Sequence, residues 1–509
     1  MRYVNCLPII ILSISPYAYN KRTIRNPNFY SQRNFIYMDN KLGLASLTAI
    51  VIGSMIGAGV FSLPQNMASV ASPAAVMIGW SITGVGMIFL ALAFQKLSFH
   101  RPHVDSGVFG YAKDGFGDFV GFCSAWGYWF SAMLANVSYL VIVFGTLGML
   151  FDTPDNIIFG HGNTWVSIMG ASCLLWMVHA LVLKGVQTAA LINMVTTYAK
   201  LVPLLIFVVA ALFAFNYDMF MFDFTGIHFG PEHDLLSQVK STMLVTVWVF
   251  IGIEGAVVVS SRARHRKDIG RATILGLMTA LSLYVFVSLL SMGIIKPTEL
   301  ATIANPSMAQ VLTVVLGPWG QYIVAIGLLI SVGGAFLSWT VLASEAPYLC
   351  AKEKIFPSYY GKVNQAGSPV RSLQLTNVSI QVSLILVMFA GSTYDTLLII
   401  ASEMILVPYF LIGAFVLQLA IKEKRYDSML LIGLGATVYG AWLLYASGLS
   451  HLLLSAMLYL PGLYFYVRAK REYGATLFTG KEKVGAILLA ITAFIAAYMM
   501  WQGVLNISF

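Results

Sequence analysis

A series of long apolar stretches constrains the fold of this chain more than any other feature. A helix needs about 20 largely apolar residues to cross a lipid bilayer. Twelve stretches of that kind stand out and a thirteenth follows them, so we predict an all-α integral membrane protein with 12–13 transmembrane helices. The stretches are 42–67, 73–98, 119–150, 164–183, 187–214, 236–261, 272–294, 318–346, 372–390, 395–420, 429–447, 450–467 and 484–502.

The composition agrees with this prediction. Apolar residues make up 58% of the 509-residue chain, charged residues only 10%, and the mean hydropathy is +0.80. A soluble domain carries about 25% charged residues, so this chain lacks the polar groups to cover a surface in water. A net charge of +9 would suggest nucleic acid in a soluble protein, but here the basic residues lie in short loops between the apolar stretches. We therefore expect a lipid bilayer, and no nucleic acid, as the partner.

The positions of Lys and Arg predict the orientation. When residue 41 is placed inside, 22 Lys and Arg fall on the inner side and only Lys240 and Lys296 on the outer side. The outer loops 152–163 and 215–235 are acidic and contain no Lys or Arg. Because basic residues collect on the cytoplasmic side, we predict a multi-pass protein of the cell (inner) membrane with a cytoplasmic N-terminus. The sequence leaves open whether the thirteenth helix spans, which would place 506–509 outside.

Residues 1–37 do not fit the pattern of spans and loops. The apolar run Leu7–Ile14 is too short to cross a bilayer, and Lys21–Tyr37 is polar and basic. No small-residue cleavage site of a signal peptide follows. We interpret 1–37 as an N-terminal extension that is not part of the functional protein, which then begins at Met38.

Two helices at equivalent places in the chain are interrupted by glycine. Residues 38–214 and 236–420 each hold five predicted helices, and 429–509 holds peripheral ones. The first helix of each set contains a glycine cluster, GSMIGAG at 53–59 and GIEG at 252–255. Transporters built from inverted repeats bind substrate where such helices unwind, because the freed backbone groups need a partner inside the membrane. Glycine also permits close helix packing, but two matched clusters favour a substrate site.

Several runs of the sequence resemble the amino acid–polyamine–organocation superfamily. They are IGSMIGAGVFSLPQNMA (52–68), SGVFGYAKDGFGDFVGF (106–122), WVFIGIEGAVVVSSRARHRKDIGRATILG (248–276), GGAFLSWTVLASEAPYLCAKEKIFP (333–357) and ASEMILVPYFL (401–411). Within the superfamily they are similar to the basic amino acid/polyamine antiporters of the arginine/ornithine type. The resemblance implies two inverted five-helix repeats, interrupted first and sixth helices, and alternating access to a site at the two interruptions.

The resemblance also implies where the backbone of an amino acid binds. N–H groups at the start of a half-helix suit a carboxylate, and free carbonyls suit an ammonium group. The segment that matches carboxylate binding comprises Ser54, Met55, Gly57, Ala58 and Gly59, and the segment that matches ammonium binding contains Ile251, Gly252 and Glu254. The arginine/agmatine members have a serine at the position of Ala58, so one hydroxyl contact is missing here.

Three residues match positions that contact the substrate side chain in the family. Trp248 and Trp339 match the tryptophans of the sixth and eighth helices, and an aromatic face attracts a guanidinium or ammonium group by about 0.5–2 kcal/mol. Asn136 matches the residue that hydrogen-bonds the guanidinium in the arginine/agmatine members. A lone membrane tryptophan is more often an interfacial anchor, but Trp248 lies midway through its span beside a break.

Four ionisable residues lie within the predicted spans and are candidates for coupling or gating, because such groups are costly in a bilayer. Lys200 resembles a lysine that replaces sodium in some relatives, where its amine would join helix 1 to helices 5 and 8 and could exchange a proton. The alternative is a lysine whose long stem reaches the inner face. Glu254 matches a family glutamate of gating or proton sensing. Glu345 and Glu403 could pair with a cationic substrate or with a neighbouring lysine.

The leading hypothesis is a secondary antiporter that exchanges arginine for ornithine, or for related basic amino acids such as lysine. A proton-coupled amino acid symporter, with Lys200 or Glu254 carrying the proton, is the alternative. A membrane enzyme or sensor is remote because the sequence shows no catalytic pair and no nucleotide-binding motif. Four widely spaced cysteines predict no metal site, and we expect no cofactor. A homodimer is known in the family, but the sequence does not require one.

Overall fold

Long helices account for most of the residues that the structure describes. The computed structural model describes residues 42–104, 107–184, 186–230, 233–258, 263–390 and 394–505. The predicted extension 1–37 and the C-terminal residues 506–509 lie outside this described part. Within it, eleven uninterrupted helices and the interrupted segment Leu235–Val257 are long and apolar enough to cross a membrane, and a bent pair of shorter helices, Leu44–Met55 and Gly59–Ala68, forms one further span. The prediction of 12–13 transmembrane helices is thus confirmed.

We number the helices in chain order. The spanning helices are α1 (Leu44–Met55) with α2 (Gly59–Ala68), α3 (Pro73–His100), α5 (Asp118–Phe151), α6 (Trp165–Leu183), α7 (Val186–Ala214), α9 (Leu235–Phe250), α11 (Arg266–Met292), α14 (Trp319–Lys352), α15 (Val370–Ala390), α16 (Tyr394–Lys422), α17 (Ser428–Ser447), α18 (Leu449–Glu472) and α19 (Gly480–Trp501). The shorter helices are α4 (Gly107–Phe116), α8 (Tyr217–Met221), α10 (Gly255–Val258), α12 (Pro297–Leu300) and α13 (Ser307–Leu316).

The helices extend beyond some of the predicted apolar stretches. α11 begins at Arg266, six residues before the predicted start at 272, and α14 continues to Lys352 instead of ending at 346. The added part of α11, 266–271, is largely charged, whereas the added part of α14 starts at Pro347 and has a single charged residue, Lys352. Hydrophobicity alone cannot place these helix ends, because each helix continues past the predicted apolar stretch. The loop after α3 also contains a helix, α4, which the sequence analysis treated as part of a loop.

The first span is broken between α1 and α2, as the glycine cluster predicted. The two helices meet at an angle of 45°. Ile56 leaves the helical conformation with ψ near 87°. At Gly57 a side chain has no room, because a Cβ there would lie 2.5 Å from the hydroxyl of Tyr139. The break therefore allows α5 to approach the backbone of the first span.

The sixth span is also interrupted. α9 ends at Phe250, residues 251–254 are not helical, and α10 begins at Gly255. Gly252 has φ = +111°, a conformation that is strained for any residue with a side chain. Both interrupted spans predicted from the glycines are thus present. The inverted relation between 38–214 and 236–420 stays a prediction.

The spans are arranged so that both breaks lie inside the bundle. α5 packs against α14 and α16, while α7 packs against both α1 and α14. On the other side, α11 packs against α1 and α3, and α9 contacts α2, α3 and α16. The residues around the breaks belong to one continuous buried core.

The last three helices lie at the edge of the bundle. α17 packs along α16 and α3, and α19 packs mainly on α18. Three polar contacts fasten this region to α5. The carboxylate of Glu482 accepts a hydrogen bond from the backbone N–H of Phe119 (3.0 Å), Lys470 donates to Asp118 (2.5 Å), and the indole N–H of Trp126 donates to the carbonyl of Leu458 (2.9 Å).

Candidate functional site

The two helix breaks meet in the middle of the bundle. The hydroxyl of Ser54, at the end of α1, donates a hydrogen bond to the carbonyl of Gly252 at 2.8 Å. A Cβ at Gly252 would lie 2.7 Å from the carbonyl carbon and oxygen of Ser54, so only glycine permits this approach. Ile251, the C-cap of α9, and Met55, the last residue of α1, are buried beside this contact. The predicted carboxylate and ammonium segments are therefore brought together.

The start of α2 presents uncapped backbone N–H groups. Ala58 is the N-cap residue, and its side chain offers no hydrogen bond to the first turn. A Cβ at Gly59 would lie 3.0 Å from the indole nitrogen of Trp248, so α2 begins directly against this tryptophan. The first N–H groups of a helix have no partner within the helix, and together with the helix dipole they favour an anion such as a carboxylate.

Trp248 and Trp339 make different contacts near the point where the two breaks meet. Trp248 is 5% exposed, and its indole N–H donates to the hydroxyl of Tyr394 at 3.0 Å. Trp339 is 1% exposed, and its indole N–H donates to the carbonyl of Ser54 at 3.2 Å. The ring of Tyr139 lies 6.3 Å from that of Trp248, between centroids. Neither tryptophan is an interfacial anchor, since both are inside the bundle.

Asn136 is fully buried on α5 with an unused acceptor. Its side-chain N–H donates to the carbonyl of Ala132 at 3.1 Å, while its Oδ1 has no hydrogen-bond partner among the described residues. Residues 128, 132, 136 and 139 lie on one face of a helix. Tyr128 contacts Trp339 and Tyr139 contacts Trp248 on this face, so Asn136 lies between the two aromatic pairs.

Lys200 is buried and does not reach a membrane surface. Its ammonium group donates to the carbonyls of Gly53 (3.0 Å) and Ile56 (2.5 Å), at the C-terminal end of α1. From α14, the hydroxyl of Ser331 contacts the carbonyls of Ile56 and Gly57. A cation at a helix C-terminus is favourable. The alternative of a lysine extended to the inner face is wrong, because the break in the first span supplies buried acceptors for the amine.

Glu254 lies in the break of the sixth span and is 1% exposed. Its Oε2 accepts hydrogen bonds from the N–H of Gly252 (3.2 Å) and from the hydroxyl of Tyr409 (3.0 Å) on α16. Tyr128 of α5 also interacts with this carboxyl group. The glutamate thus connects the sixth span to α5 and α16, next to the meeting point of the breaks.

The other two ionisable candidates have different surroundings. Glu403 of α16 is buried, and its carboxylate lies against the imidazole ring of His451 of α18. Among the residues that the structure describes, no lysine pairs with it. Glu345 is partly buried in α14, six residues or about 9 Å further along the helix than Trp339. It lies near Tyr348, in the last turns of that helix.

The aromatic and polar partners of these groups are not among the residues predicted from the sequence. They are Tyr128, Tyr139, Ser331, Tyr394, Tyr409 and His451. A tyrosine in an apolar helix gives little signal by itself, because its role depends on what it faces. The helical spacing of Tyr128 and Tyr139 from Asn136 was a usable signal, since all three share a face once Asn136 is placed at the site.

No metal centre is present in the described part of the chain, where no group of three or more His, Cys, Asp or Glu is close enough to hold an ion. The site consists of backbone N–H and carbonyl groups, aromatic faces and amide or carboxyl oxygens. Such groups recognise a small zwitterion with a cationic side chain through hydrogen bonds and cation–π contacts.

Comparison with known proteins agrees with this geometry. Residues 42–466 match the family model described as amino acid permease. The chain belongs to the amino acid permease family. This confirms the superfamily resemblance and makes the protein a multi-pass membrane transporter, not an enzyme.

Several members of this family are similar along most of their length. A putative arginine/ornithine antiporter of Escherichia coli is 53% identical over 466 residues, which are 92% of this chain and 100% of that protein. The arginine/ornithine antiporter of Pseudomonas aeruginosa is 48% identical and covers 92% of this chain and 98% of its own length. An arginine/agmatine antiporter of Chlamydia abortus is 40% identical, with 90% and 96% covered.

Proposed function

We propose that this permease is a secondary antiporter that exchanges basic amino acids, arginine for ornithine in the first instance and lysine as a further substrate. The observation that carries the proposal is the meeting of two helix breaks at Ser54 and Gly252, enclosed by Trp248 and Trp339. Relatives that are 40–53% identical over at least 90% of the chain bear the names of arginine antiporters.

The backbone of the amino acid binds between the two breaks. Its carboxylate accepts hydrogen bonds from the N–H groups of Ala58 and Gly59, where the uncapped start of α2 favours an anion. The N–H of Gly57 donates to the carbonyl of Met55 at 3.0 Å in this conformation, so Gly57 contributes close approach to the substrate. Its ammonium group donates to carbonyl groups of the non-helical segment 251–254. Because Ala58 has no hydroxyl, the backbone N–H groups provide the carboxylate contacts.

The cationic side chain of the substrate lies against aromatic faces. Trp248 and Trp339 exclude water from it, and a cation on an indole face gains about 2 kcal/mol when water is excluded. The free Oδ1 of Asn136 accepts a hydrogen bond from the guanidinium or ammonium group. A carbonyl oxygen that is buried without a partner is costly, so a substrate donor at this position stabilises the loaded state.

Two layers close the site in this conformation. Trp248 and Tyr394 form one layer, and Tyr128, Glu254 and Tyr409 form the other. Alternating access requires that one layer opens while the other stays closed. In our proposal the five-helix sets 38–214 and 236–420 are inverted repeats that rock against each other, while 429–509 remains peripheral.

Lys200 takes the place of a coupling cation. Its ammonium group already occupies the carbonyls of Gly53 and Ile56, where a bound metal cation would otherwise be held. Exchange of two singly charged amino acids moves no net charge, so the two amino acid gradients drive it. A proton-coupled symporter is the second candidate, because Lys200 and Glu254 are buried ionisable groups at the breaks.

The membrane arrangement completes the proposal. The Lys and Arg distribution favours a cytoplasmic N-terminus in the cell (inner) membrane, which places Asp152 on the outer side. The match to the family model begins at residue 42, in agreement with a functional protein that begins at Met38. One chain supplies both breaks and both tryptophans, so a homodimer would consist of two complete transport units.

Uptake of labelled arginine into proteoliposomes tests the proposal. Vesicles are loaded with ornithine, lysine, agmatine, putrescine or buffer alone, with and without an inward proton gradient. We expect uptake only into vesicles that contain ornithine or lysine. Equal uptake into empty vesicles that rises with the proton gradient would support the symporter instead.

A further inference from the structure

A cavity of about 490 Å³ lies at the end of the bundle that carries Asp152. It is bounded by the end of α5, the loop after it, α13 and the start of α14. Its polar lining residues are Asp152, His161, Asn305, Gln310, Thr313 and Gln321. Pockets for small ligands have volumes of about 300–1,000 Å³, so this cavity has the size for an amino acid. The central site described above does not include any of its lining residues.

Asp152 gives the rim of this cavity a negative charge. Its carboxylate accepts hydrogen bonds from the N–H groups of Ile158 and Phe159 (both 3.0 Å) and of Gly160 (2.6 Å). Slight burial raises the pKa of Asp152, but these hydrogen bonds together lower it below its ordinary value. The carboxylate is therefore charged at neutral pH and attracts cations toward the cavity.

Asn305 connects the cavity to a second carboxylate, that of Asp395. Its side-chain N–H group donates to Asp395 Oδ1 at 2.9 Å and to Gln65 Oε1 at 2.9 Å. Asn66 donates to the same Asp395 oxygen at 2.7 Å. Within the described residues, the Asp395 carboxylate has these two neutral amides as partners and forms no ion pair with a Lys, Arg or His.

One amide oxygen beside Asp395 has no hydrogen-bond partner among the described residues. That oxygen is Oδ1 of Asn66, a residue that is only 6% exposed. A guanidinium group carries five N–H donors and an ammonium group three, and neither accepts hydrogen bonds. A partly buried carboxylate next to an unpaired amide oxygen is therefore suited to a cationic group, because such a group satisfies both acceptors.

This cluster lies directly outward of the closed layer at Trp248. Asp395 follows Tyr394 in the chain, and the hydroxyl of Tyr394 accepts a hydrogen bond from the indole N–H of Trp248. Asn66 lies seven residues beyond Gly59 on α2, about 10 Å along the helix axis. A substrate that enters from the cavity thus reaches Asp395 before it reaches Trp248.

We propose that Asp395, Asn66 and Asn305 form an outer waiting site, which holds the guanidinium or ammonium group of an incoming basic amino acid before Trp248 opens. The waiting site rests on the proposed function, since it supplies the same substrate to the central site. It acts from one face of the membrane only. Substrate that arrives from the cytoplasm binds at the two breaks without passing Asp395.

The sidedness of the KM values tests this proposal in the Asp395→Asn variant, which keeps the shape of the side chain and removes its charge. External KM for arginine is measured in intact cells, and KM for arginine at the cytoplasmic face is measured in everted membrane vesicles. We expect the external KM to rise about tenfold, because a charge-assisted hydrogen bond is lost. The KM at the cytoplasmic face and the maximal rate stay within about twofold of the wild-type values.

Asp155→Asn is the control for outer surface charge. Asp155 is an exposed loop residue outside the cavity lining, and its replacement leaves both KM values unchanged.

A second variant keeps the test valid if Asp395→Asn does not fold. Gln310→Lys places a cation at an exposed position of the cavity lining, and we expect it to raise the external KM alone. Thr302→Lys, also exposed but outside the cavity lining, is its control. An unchanged external KM in the folded variants, a change at the cytoplasmic face alone, or an equal change at both faces would overturn the waiting site. Absence of arginine exchange in the wild-type protein would instead refute the proposed function.

Discussion

At the residue scale, Trp248 distinguishes a substrate site from a packing site. Leucine at this position keeps an apolar side chain but removes the indole face and its hydrogen bond to Tyr394. We expect Trp248→Leu to reduce arginine exchange at least about 30-fold, which corresponds to the loss of about 2 kcal/mol of cation–π attraction. The folded fraction, measured by gel filtration, stays normal.

Trp501→Leu is the matched control, because Trp501 is 82% exposed at the end of α19. It removes an indole from the same chain without touching either break. Near-normal exchange by Trp248→Leu would mean that the substrate binds elsewhere.

Lys200 tests whether a fixed ammonium group holds the first break. Lys200→Met keeps a long side chain and leaves the carbonyls of Gly53 and Ile56 without their donor. Each lost hydrogen bond in a membrane costs about 1–2 kcal/mol, so we expect a melting temperature several degrees lower in a thermal-shift assay, together with loss of exchange. Lys352→Met, at the exposed end of α14, is expected to change neither. An unchanged melting temperature would show that the amine does not support the break.

A site residue could be predicted from the sequence where its side-chain type alone requires a particular environment within the membrane. A lysine within an apolar helix and a glutamate within a glycine-rich break both need buried partners, so Lys200 and Glu254 could be chosen in advance. The partners themselves could not. Tyr409 reaches Glu254, and His451 reaches Glu403, only because helices distant in sequence pack together.

At the element scale, the contact between the two interrupted spans is the feature to disturb. Gly252→Ala places a Cβ 2.7 Å from the carbonyl group of Ser54, at φ = +111°. We expect arginine exchange to fall at least about tenfold, because strain of about 1–3 kcal/mol and the clash separate the two breaks. Gly230→Ala provides the control: its φ is +79°, and a Cβ there meets nothing within 4 Å. If both substitutions reduced arginine exchange equally, backbone strain alone, and not the contact between the two breaks, would explain the loss.

The number and position of the spans could be read from the sequence because a bilayer imposes a minimum apolar length. The breaks could be read because glycine clusters interrupt two spans. The extra turns of α11 could not, since they are largely charged, and those of α14 could not, since they begin at Pro347 and proline usually marks a helix boundary. The short helix α13 also remained hidden, although its first residue, Ser307, accepts a hydrogen bond from the backbone of Gln65 and so joins α13 to α2.

At the scale of the whole molecule, we expect the transport unit to begin at Met38. A variant that starts at Met38 retains both breaks, every span and the complete match to the family model at 42–466. We predict that its insertion into membranes and its rate of arginine exchange, per molecule of purified protein, equal those of the full chain. A loss of exchange with normal insertion would assign residues 1–37 a role in transport.

In the proposed transport cycle, one site faces the two sides of the membrane in turn and carries a basic amino acid in each direction. Vesicles loaded with ¹⁴C-ornithine, to which ³H-arginine is added outside at several imposed membrane potentials, test this cycle. We predict that one ornithine leaves for each arginine that enters, and that this ratio does not depend on the potential. Arginine entry without ornithine exit, or a ratio that changes with the potential, would contradict it.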